Sequence, residues 1–270
     1  SQYEGAYVKD PQLGLHNWIV SFDLNSLYPH LIMQYNISPE MFLGVEPKAV
    51  GVENFLEEKL NLKWARDRNV AIAPNGAMFK RDKQGFLPEL MEKMYTERVV
   101  YKKKAIEAKK EFQKTKDPIY SNEISRCHNI QMAKKISLNS AYGAIGNQYF
   151  RYFDVKQAEA ITLGGQLSIR WVERDVNRFM NKLLGTDNKN YVVASDTDSI
   201  YLKLDTLVEK VCKGKSTKQI VEFLNKAAED KIQKVIDDSY QNLAHYVNAY
   251  QQKMIMKREA IANKGIWVAK

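Results

Sequence analysis

Apolar positions along this chain recur with two periods. The run Trp18-Ile-Val-Ser-Phe22 leads straight to Asp23 and predicts a strand that ends on an acid. Tyr191-Val-Val-Ala-Ser-Asp-Thr-Asp-Ser-Ile-Tyr-Leu-Lys-Leu204 has apolar residues running up to two carboxylates and away from them again. That predicts strand, tight turn, strand, with Asp196 and Asp198 at the tip. Met254-Ile-Met256 and Ile266-Trp-Val268 read as two short strands flanking a turn at Asn263-Lys-Gly265. Helical spacing dominates elsewhere. Pro29 suits the first turn of a short helix through Leu31, Ile32 and Met33. Leu90, Met94, Val99, Ala105 and Ile106 mark a helix over residues 89–112, broken by Lys-Asp-Pro at 116–118. A second spans 122–141, with Gly143 and Gly146 as its stop. The short connection predicts an antiparallel helical hairpin. Residues 155–184 form a long amphipathic helix with Val172, Val176, Phe179 and Leu183 on one face and Gly185 at its end. Residues 217–248 form another, with Phe223, Leu224, Ala227, Val235 and Leu243 facing inward. Residues 74–76 and 82–85 read as turns. The sum is an α+β fold: an antiparallel sheet backed by long helices, with a projecting helical hairpin.

Composition narrows the partners. The chain has 270 residues, 44% of them hydrophobic, enough for a sizeable core. Lys and Arg number 41 against 32 acids, a net charge of +9, which suits a polyanion such as nucleic acid, or else an anionic membrane surface. No apolar run approaches the roughly 20 residues that cross a bilayer, and no signal peptide is visible, so a cytoplasmic setting with no membrane partner is expected. Two cysteines and four scattered histidines lack the spacing of a zinc site.

Four groups of residues can carry chemistry. Asp is a poor strand former, so Asp196 and Asp198 are either turn residues or metal ligands. With Asp23 delivered to the same sheet edge, they can hold a pair of Mg²⁺ ions for phosphoryl transfer; Asp23 reads equally as a helix cap. Leu-Tyr-Pro follows Asp23 closely, and the turn there leaves backbone amides to meet phosphate oxygens, with an aromatic to floor a sugar pocket. Lys135, Asn139 and Tyr142 share one helical face, as an amphipathic helix with a solvated lysine also would. Arg98 and Lys102, one turn apart, make either a cationic fork for a triphosphate or a solvated basic face. Glu259 in Met256-Lys-Arg-Glu-Ala260 is a candidate third carboxylate, or, beside Arg258, one member of a surface ion pair.

In this order, the segments resemble the polymerase core of family B DNA polymerases, most closely those of tailed phages. The likeness rests on Asp-x-x-Ser-Leu-Tyr-Pro at 23–29, Lys-x-x-x-Asn-Ser-x-Tyr-Gly at 135–143 and Asp-Thr-Asp-Ser at 196–199. Tyr-Asn-Ile-Ser-Pro-Glu at 35–40, Pro-Asn-Gly at 74–76 and Lys-Arg-Glu-Ala-Ile-Ala at 257–262 support it, so it covers nearly the whole chain. The resemblance implies a DNA-templated polymerase that adds dNTPs to a primer 3′-OH with two Mg²⁺, for which Mn²⁺ can substitute. It implies Asp23 and Asp198 as metal-bridging carboxylates, Asp196 as the adjacent, less essential acid, the Leu24 backbone as a further metal ligand and Glu259 as an auxiliary acid. Leu24, Asn25, Ser26, Leu27 and Tyr28 become nucleotide contacts, Tyr28 excluding a 2′-hydroxyl. Arg98, Lys102 and Lys135 grip the triphosphate, and Asn139, Tyr142 and Gly143 check the new base pair. The implied domains are palm at 1–45 and 146–270, a palm-associated insert at 46–88 and fingers at 89–145.

The sequence departs from the family pattern in places. Ala194-Ser195 stands where Tyr-Gly is usual, His30 replaces a small serine, and Lys257 replaces an acid. No exonuclease or thumb segment is recognisable, which predicts weak binding of primer-template DNA by this chain alone. The expected partners are primer-template DNA, dNTP, thumb and exonuclease segments from the parent chain or in trans, and a sliding clamp. The expected location is the cytoplasm of a phage-infected bacterium. The competing readings are a non-catalytic palm-like module and a polymerase of different template or sugar choice. Retention of Asp23, Asp196 and Asp198 favours catalysis over the first, and Tyr28 favours deoxyribonucleotides.

Overall fold

The computed structural model describes residues 5–151 and 154–267. The chain opens with β1 (Gly14–Leu24), α1 (Leu27–Tyr35), a 3-10 turn at Pro39–Met41 and β2 (Phe42–Val45). Short α2 (Val52–Leu56) and α3 (Lys63–Asp67) precede the hairpin β3 (Val70–Ile72) and β4 (Ala77–Lys80). Two long helices follow, α4 (Phe86–Thr115) and α5 (Pro118–Ile145), then α6 (Val155–Leu184). The second half holds β5 (Val192–Asp196), β6 (Ser199–Lys203), α7 (Asp205–Val211), α8 (Thr217–Ala227), a π turn at Ala228–Ile232, α9 (Gln233–Tyr246) and β7 (Met256–Trp267).

The main sheet is antiparallel with strand order β5-β6-β1-β7, and a second, three-stranded sheet has order β2-β4-β3. Alternation sorts the two faces of the main sheet. Val20, Phe22 and Leu24 of β1 and Ile200 and Leu202 of β6 join the hydrophobic core. Ser21 and Asp23 of β1 and Ser199, Tyr201 and Lys203 of β6 fall on the opposite face by the same period. Helix α6 is the core helix: it buries seventeen of its 30 residues, whereas α4 buries four of its 30. Helices α4 and α5 pack mainly on each other, joined at Lys116 and Asp117, and meet the core through Met91, Leu138 and Ile145. Lys116 closes α4 in the left-handed conformation, and Asp117 caps α5 by accepting from the Ile119 amide at 3.0 Å.

Three expectations need correction. The residues expected to form two short strands near the C-terminal end form one strand, β7, paired with β1 from Met256 to Trp267; Val268 lies outside the described residues. Lys264 and Gly265 pair with Asn17 and His16 and Asn263 stays within the strand, because pairing with β1 on either side outweighs the local turn preference of these residues. Helix α5 passes through Gly143 and ends at Gly146, since a glycine inside a packed helix costs only about 1 kcal/mol. The buried stripe of α6 runs Val172, Val176, Met180, Leu184; Leu183, one residue off that i, i+4 row, is 44% exposed.

Helix α1 lies close against α6 because of Gly164 and Gly165. A Cβ on Gly164 would sit 3.3 Å from the Tyr35 ring, and one on Gly165 would sit 3.4 Å from Leu27 and 3.6 Å from the Tyr28 ring. The glycine pair thus sets the seat of the residues that follow Asp23.

Candidate active site

The end of β1 and the tip of the β5–β6 hairpin are tied together through backbone. Asp23 pairs with Ser199 in β6 and with Lys257 in β7. The Leu24 amide donates to the Asp198 carbonyl at 2.7 Å, and the Asn25 amide donates to the Ile255 carbonyl at 3.1 Å. Both acids of this junction line one cavity of about 680 Å³, with Leu24 to Pro29, Arg98, Lys135, Leu138, Asn139, Tyr142, Thr197 and residues 257–259.

Three carboxylates crowd its floor. Burial, a hydrogen bond shared with the Glu259 carboxyl, and the charges of Glu259 and Asp198 push the Asp23 carboxyl up to about 7. Asp198 is also raised, mainly by burial and against a hydrogen bond from its own amide, with Asp196 and Glu259 adding repulsion. Glu259 reaches the floor through a β-bulge. The β1–β7 register steps from Ser21↔Ala260 to Phe22↔Arg258, leaving Glu259 as the extra residue. Its neighbour Arg258 pairs with Glu229 of the π turn at 3.4 Å. Asp196 does not line the cavity. Its Oδ1 accepts from the Thr197 amide at 2.6 Å and from the Thr197 hydroxyl at 3.2 Å, which shapes the hairpin turn.

The opposite wall is cationic. Arg98 is only 9% exposed; its Nε donates to Gln131 Oε1 at 3.4 Å and its Nη1 to Ser26 Oγ at 3.5 Å. Lys135 faces the cavity from α5. Lys102, one turn beyond Arg98, is not among the lining residues, and its pKa is lowered by burial and by the charges of Arg98 and Lys135. None of the three forms an ion pair with a carboxylate among the described residues. Between the two walls sit Tyr28 and Tyr142, with ring centroids 4.6 Å apart. The residues before α1 are fixed as well. Ser26 adopts a left-handed conformation at φ 44°, Asn25 donates its side-chain amide to the Tyr95 hydroxyl, and the buried His30 packs edge-on against Tyr95 at 4.5 Å. Pro29 has no amide hydrogen and the His30 amide donates to the Ser26 carbonyl at 3.2 Å, so the Leu27 and Tyr28 amides are the ones of this turn that no earlier turn can satisfy.

Among the described residues, no three His, Cys, Asp or Glu side chains form a ready-made metal cage. Mg²⁺ does not need one, since it ordinarily takes one or two protein carboxylates and completes its shell with water and substrate phosphates. Asp23 and Asp198 fit that requirement. A hard cation between them would offset the burial of both carboxylates and the repulsion that adds to it in raising their pKa values.

The structure thus brings together Asp23, Leu24, Asn25, Ser26, Leu27, Tyr28, Arg98, Lys135, Asn139, Tyr142, Asp198 and Glu259. Gly143 lies outside the lining, and a Cβ there would meet nothing within 4 Å. Gln131 and Tyr95 escaped the sequence reading. Gln131 was detectable as the residue four before Lys135, on the face that continues to Leu138, Asn139 and Tyr142.

A sequence model of DNA polymerase family B matches residues 1–263. The chain is 32% identical to the DNA-directed DNA polymerase of Escherichia phage RB69 over 99% of its own length and 35% of that protein. The DNA-directed DNA polymerase of Enterobacteria phage T4 gives the same identity and coverage. DNA polymerase 1 of Pyrococcus abyssi (strain GE5 / Orsay) is 31% identical over 83% of the chain and 24% of its own length. The chain therefore spans about a third of the length of the phage relatives, at 35% of each. A match that runs through both walls of the cavity and nearly end to end leaves one conclusion: the chain belongs to DNA polymerase family B.

Proposed function

We propose that this chain carries the nucleotidyl-transfer centre of a DNA-templated DNA polymerase. The observation that supports the reading best is the polarity of one cavity, with carboxylates on one wall, uncompensated cations on the other and an aromatic pair between. A deoxynucleoside triphosphate matches that order: phosphates on Arg98, Lys135 and the first-turn amides of α1, sugar over Tyr28, base toward Asn139 and Tyr142. Asp23, Asp198 and the Leu24 carbonyl would hold two Mg²⁺, or Mn²⁺ in their place, which supply acidification of the primer hydroxyl and neutralisation of charge on the phosphates. The chain's own residues orient the α-phosphorus toward the primer 3′-oxygen, and Arg98 and Lys135 stabilise the departing pyrophosphate. Residues 1–45 and 146–270 would serve as palm, 46–88 as insert and 89–145 as fingers. A hairpin that buries little of itself can swing toward the phosphates as a unit.

The reading is tested by divalent-dependent primer extension on a defined template, comparing dNTP with the matching rNTP. The complementary dNTP is expected to be preferred, and Tyr28→Ala is expected to reduce the sugar discrimination about tenfold or more. Unchanged ribonucleotide use by Tyr28→Ala would remove the sugar-gate role. Template-independent incorporation by the parent would remove the polymerase reading.

Gly143 offers a separate test. Gly143→Ala has room for its methyl and replaces a glycine within α5, so the unfolding free energy is expected to rise by about 0.5–1 kcal/mol. If Gly143 faces the new base pair, extension nevertheless slows while dNTP affinity holds. Parent-level extension in a stabilised Gly143→Ala protein would take Gly143 out of the substrate surface.

A further inference from the structure

The cationic wall contains an unusual choice of partner. Arg98 is nine-tenths buried, a position where a guanidinium normally meets a carboxylate. Among the described residues it meets only neutral groups, the Gln131 amide oxygen at 3.4 Å and the Ser26 hydroxyl at 3.5 Å. Gln131 is itself only 8% exposed, and its Nε2 is held by the His128 ring at 3.4 Å, which keeps Oε1 turned toward Arg98. Acids are available to the same helices. Glu97, beside Arg98, pairs with Lys134 at 2.5 Å, and Glu123 pairs with Arg126 at 2.8 Å. The hairpin thus neutralises neighbouring cations and leaves this one charged.

We infer that Gln131 is a positioning residue for triphosphate recognition, an amide that aims the buried Arg98 guanidinium into the cavity while leaving its positive charge for the phosphates. The inference rests on the reading that Arg98 meets the triphosphate. A carbonyl oxygen orients a guanidinium through one hydrogen bond. A carboxylate at the same place would take two in a bidentate pair and cancel the charge. The incoming phosphate would then have to break a buried ion pair before binding.

Gln131→Glu separates this role from a merely structural one. Equilibrium binding of dTTP and of inorganic tripolyphosphate, each with Mg²⁺, is measured for the parent and the variant, together with thermal unfolding. Gln131→Glu is expected to weaken both ligands about tenfold, since hydrogen bonds to charged groups are worth that much, while the unfolding midpoint stays or rises. In an Arg98→Ala background the same substitution is expected to change affinity less than about twofold, because the effect passes through Arg98. Equal affinity of parent and Gln131→Glu overturns the inference, as does an undiminished loss in the Arg98→Ala background. A parent that binds neither dTTP nor tripolyphosphate overturns the functional reading itself, and this inference with it.

Discussion

Asp198→Ala and Asp23→Ala are each expected to lower the rate of single-nucleotide extension by about a thousandfold or more, with the fold intact. The size follows from what the carboxylates are asked to hold. Charge stabilisation at a transferring phosphoryl group is worth several kcal/mol, and each 1.36 kcal/mol is about tenfold in rate. The fold survives for a local reason. The bond that joins the hairpin tip to β1 runs from the Leu24 amide to the Asp198 backbone carbonyl, which alanine keeps. At position 23 the change removes a carboxyl from a crowded group, so Asp23→Asn is expected to match or exceed the parent in unfolding free energy while losing extension. Asp196→Ala should behave in the opposite way. Its carboxylate caps the turn at Thr197 and stays outside the cavity lining, so about 1 kcal/mol of stability goes and extension falls far less. Single-turnover extension and urea unfolding on the same preparations check all four variants. Parent-rate extension by Asp198→Ala or Asp23→Ala would exclude the assigned centre.

The hairpin that carries Asp198 was legible because two constraints coincide there. Apolar runs on both sides demand burial, and two acids between them cannot be buried, so the acids must be the tip. The end of helix α6 was legible because Gly185 is free to take φ 66°, whereas Asp154, which caps its start by accepting from the Lys156 amide, escaped the sequence reading. The helix's inner face was displaced by one residue near the end because Leu183 and Leu184 are chemically equal, and only the packed neighbour distinguishes them. The long strand β7 was hidden since Asn263 and Gly265 are turn formers by themselves, and the partner that overrides them lies some 250 residues earlier, in β1. The site divides along the same line. Spacing alone could join Arg98 to Lys102, or Lys135 to Asn139 and Tyr142. Nothing in the spacing could bring those groups to Asp23 and Asp198; the family resemblance supplied that link, and the cavity places four of the five around one volume, with Lys102 outside its lining. Gln131 was overlooked because a neutral amide inside a basic helix looks like filler until its buried partner is visible.

The largest loss of stability is expected far from the chemistry, at Trp171. This side chain is 1% exposed and joins α6 to α9: its ring stacks on Tyr246 at 5.7 Å, and its Nε1 donates to the Ser239 carbonyl at 2.9 Å. Arg174 covers the ring at 3.9 Å, and the adjacent contacts are polar and specific, with the Ser239 hydroxyl donating to Asp175 at 2.5 Å and the Tyr240 hydroxyl donating to the Ser168 carbonyl at 3.0 Å. Trp171→Ala empties a volume those directed bonds hold open, so collapse cannot refill it, and the expected cost is about 3–5 kcal/mol. Trp171→Phe keeps most of the volume and leaves the Ser239 carbonyl without its donor, for about 1–3 kcal/mol. Urea unfolding should rank parent, Phe and Ala in that order, with a drop in thermal midpoint on the order of 10 °C for alanine. A Trp171→Ala protein within about 1 kcal/mol of the parent would mean that α6 and α9 close over the gap, against the fixed polar contacts around it. The cost should not reach the cavity. Helix α1 is seated on Gly164 and Gly165, one to two turns before Trp171, and the carboxylates hang from backbone bonds of the sheet. Well below its unfolding midpoint, Trp171→Ala should therefore bind Mg²⁺-dTTP as the parent does, whereas Asp23→Asn should remain folded and lose that binding. Stability and nucleotide affinity would then fail separately, as they must if the helical layer carries the fold and the polar face of the sheet carries the chemistry.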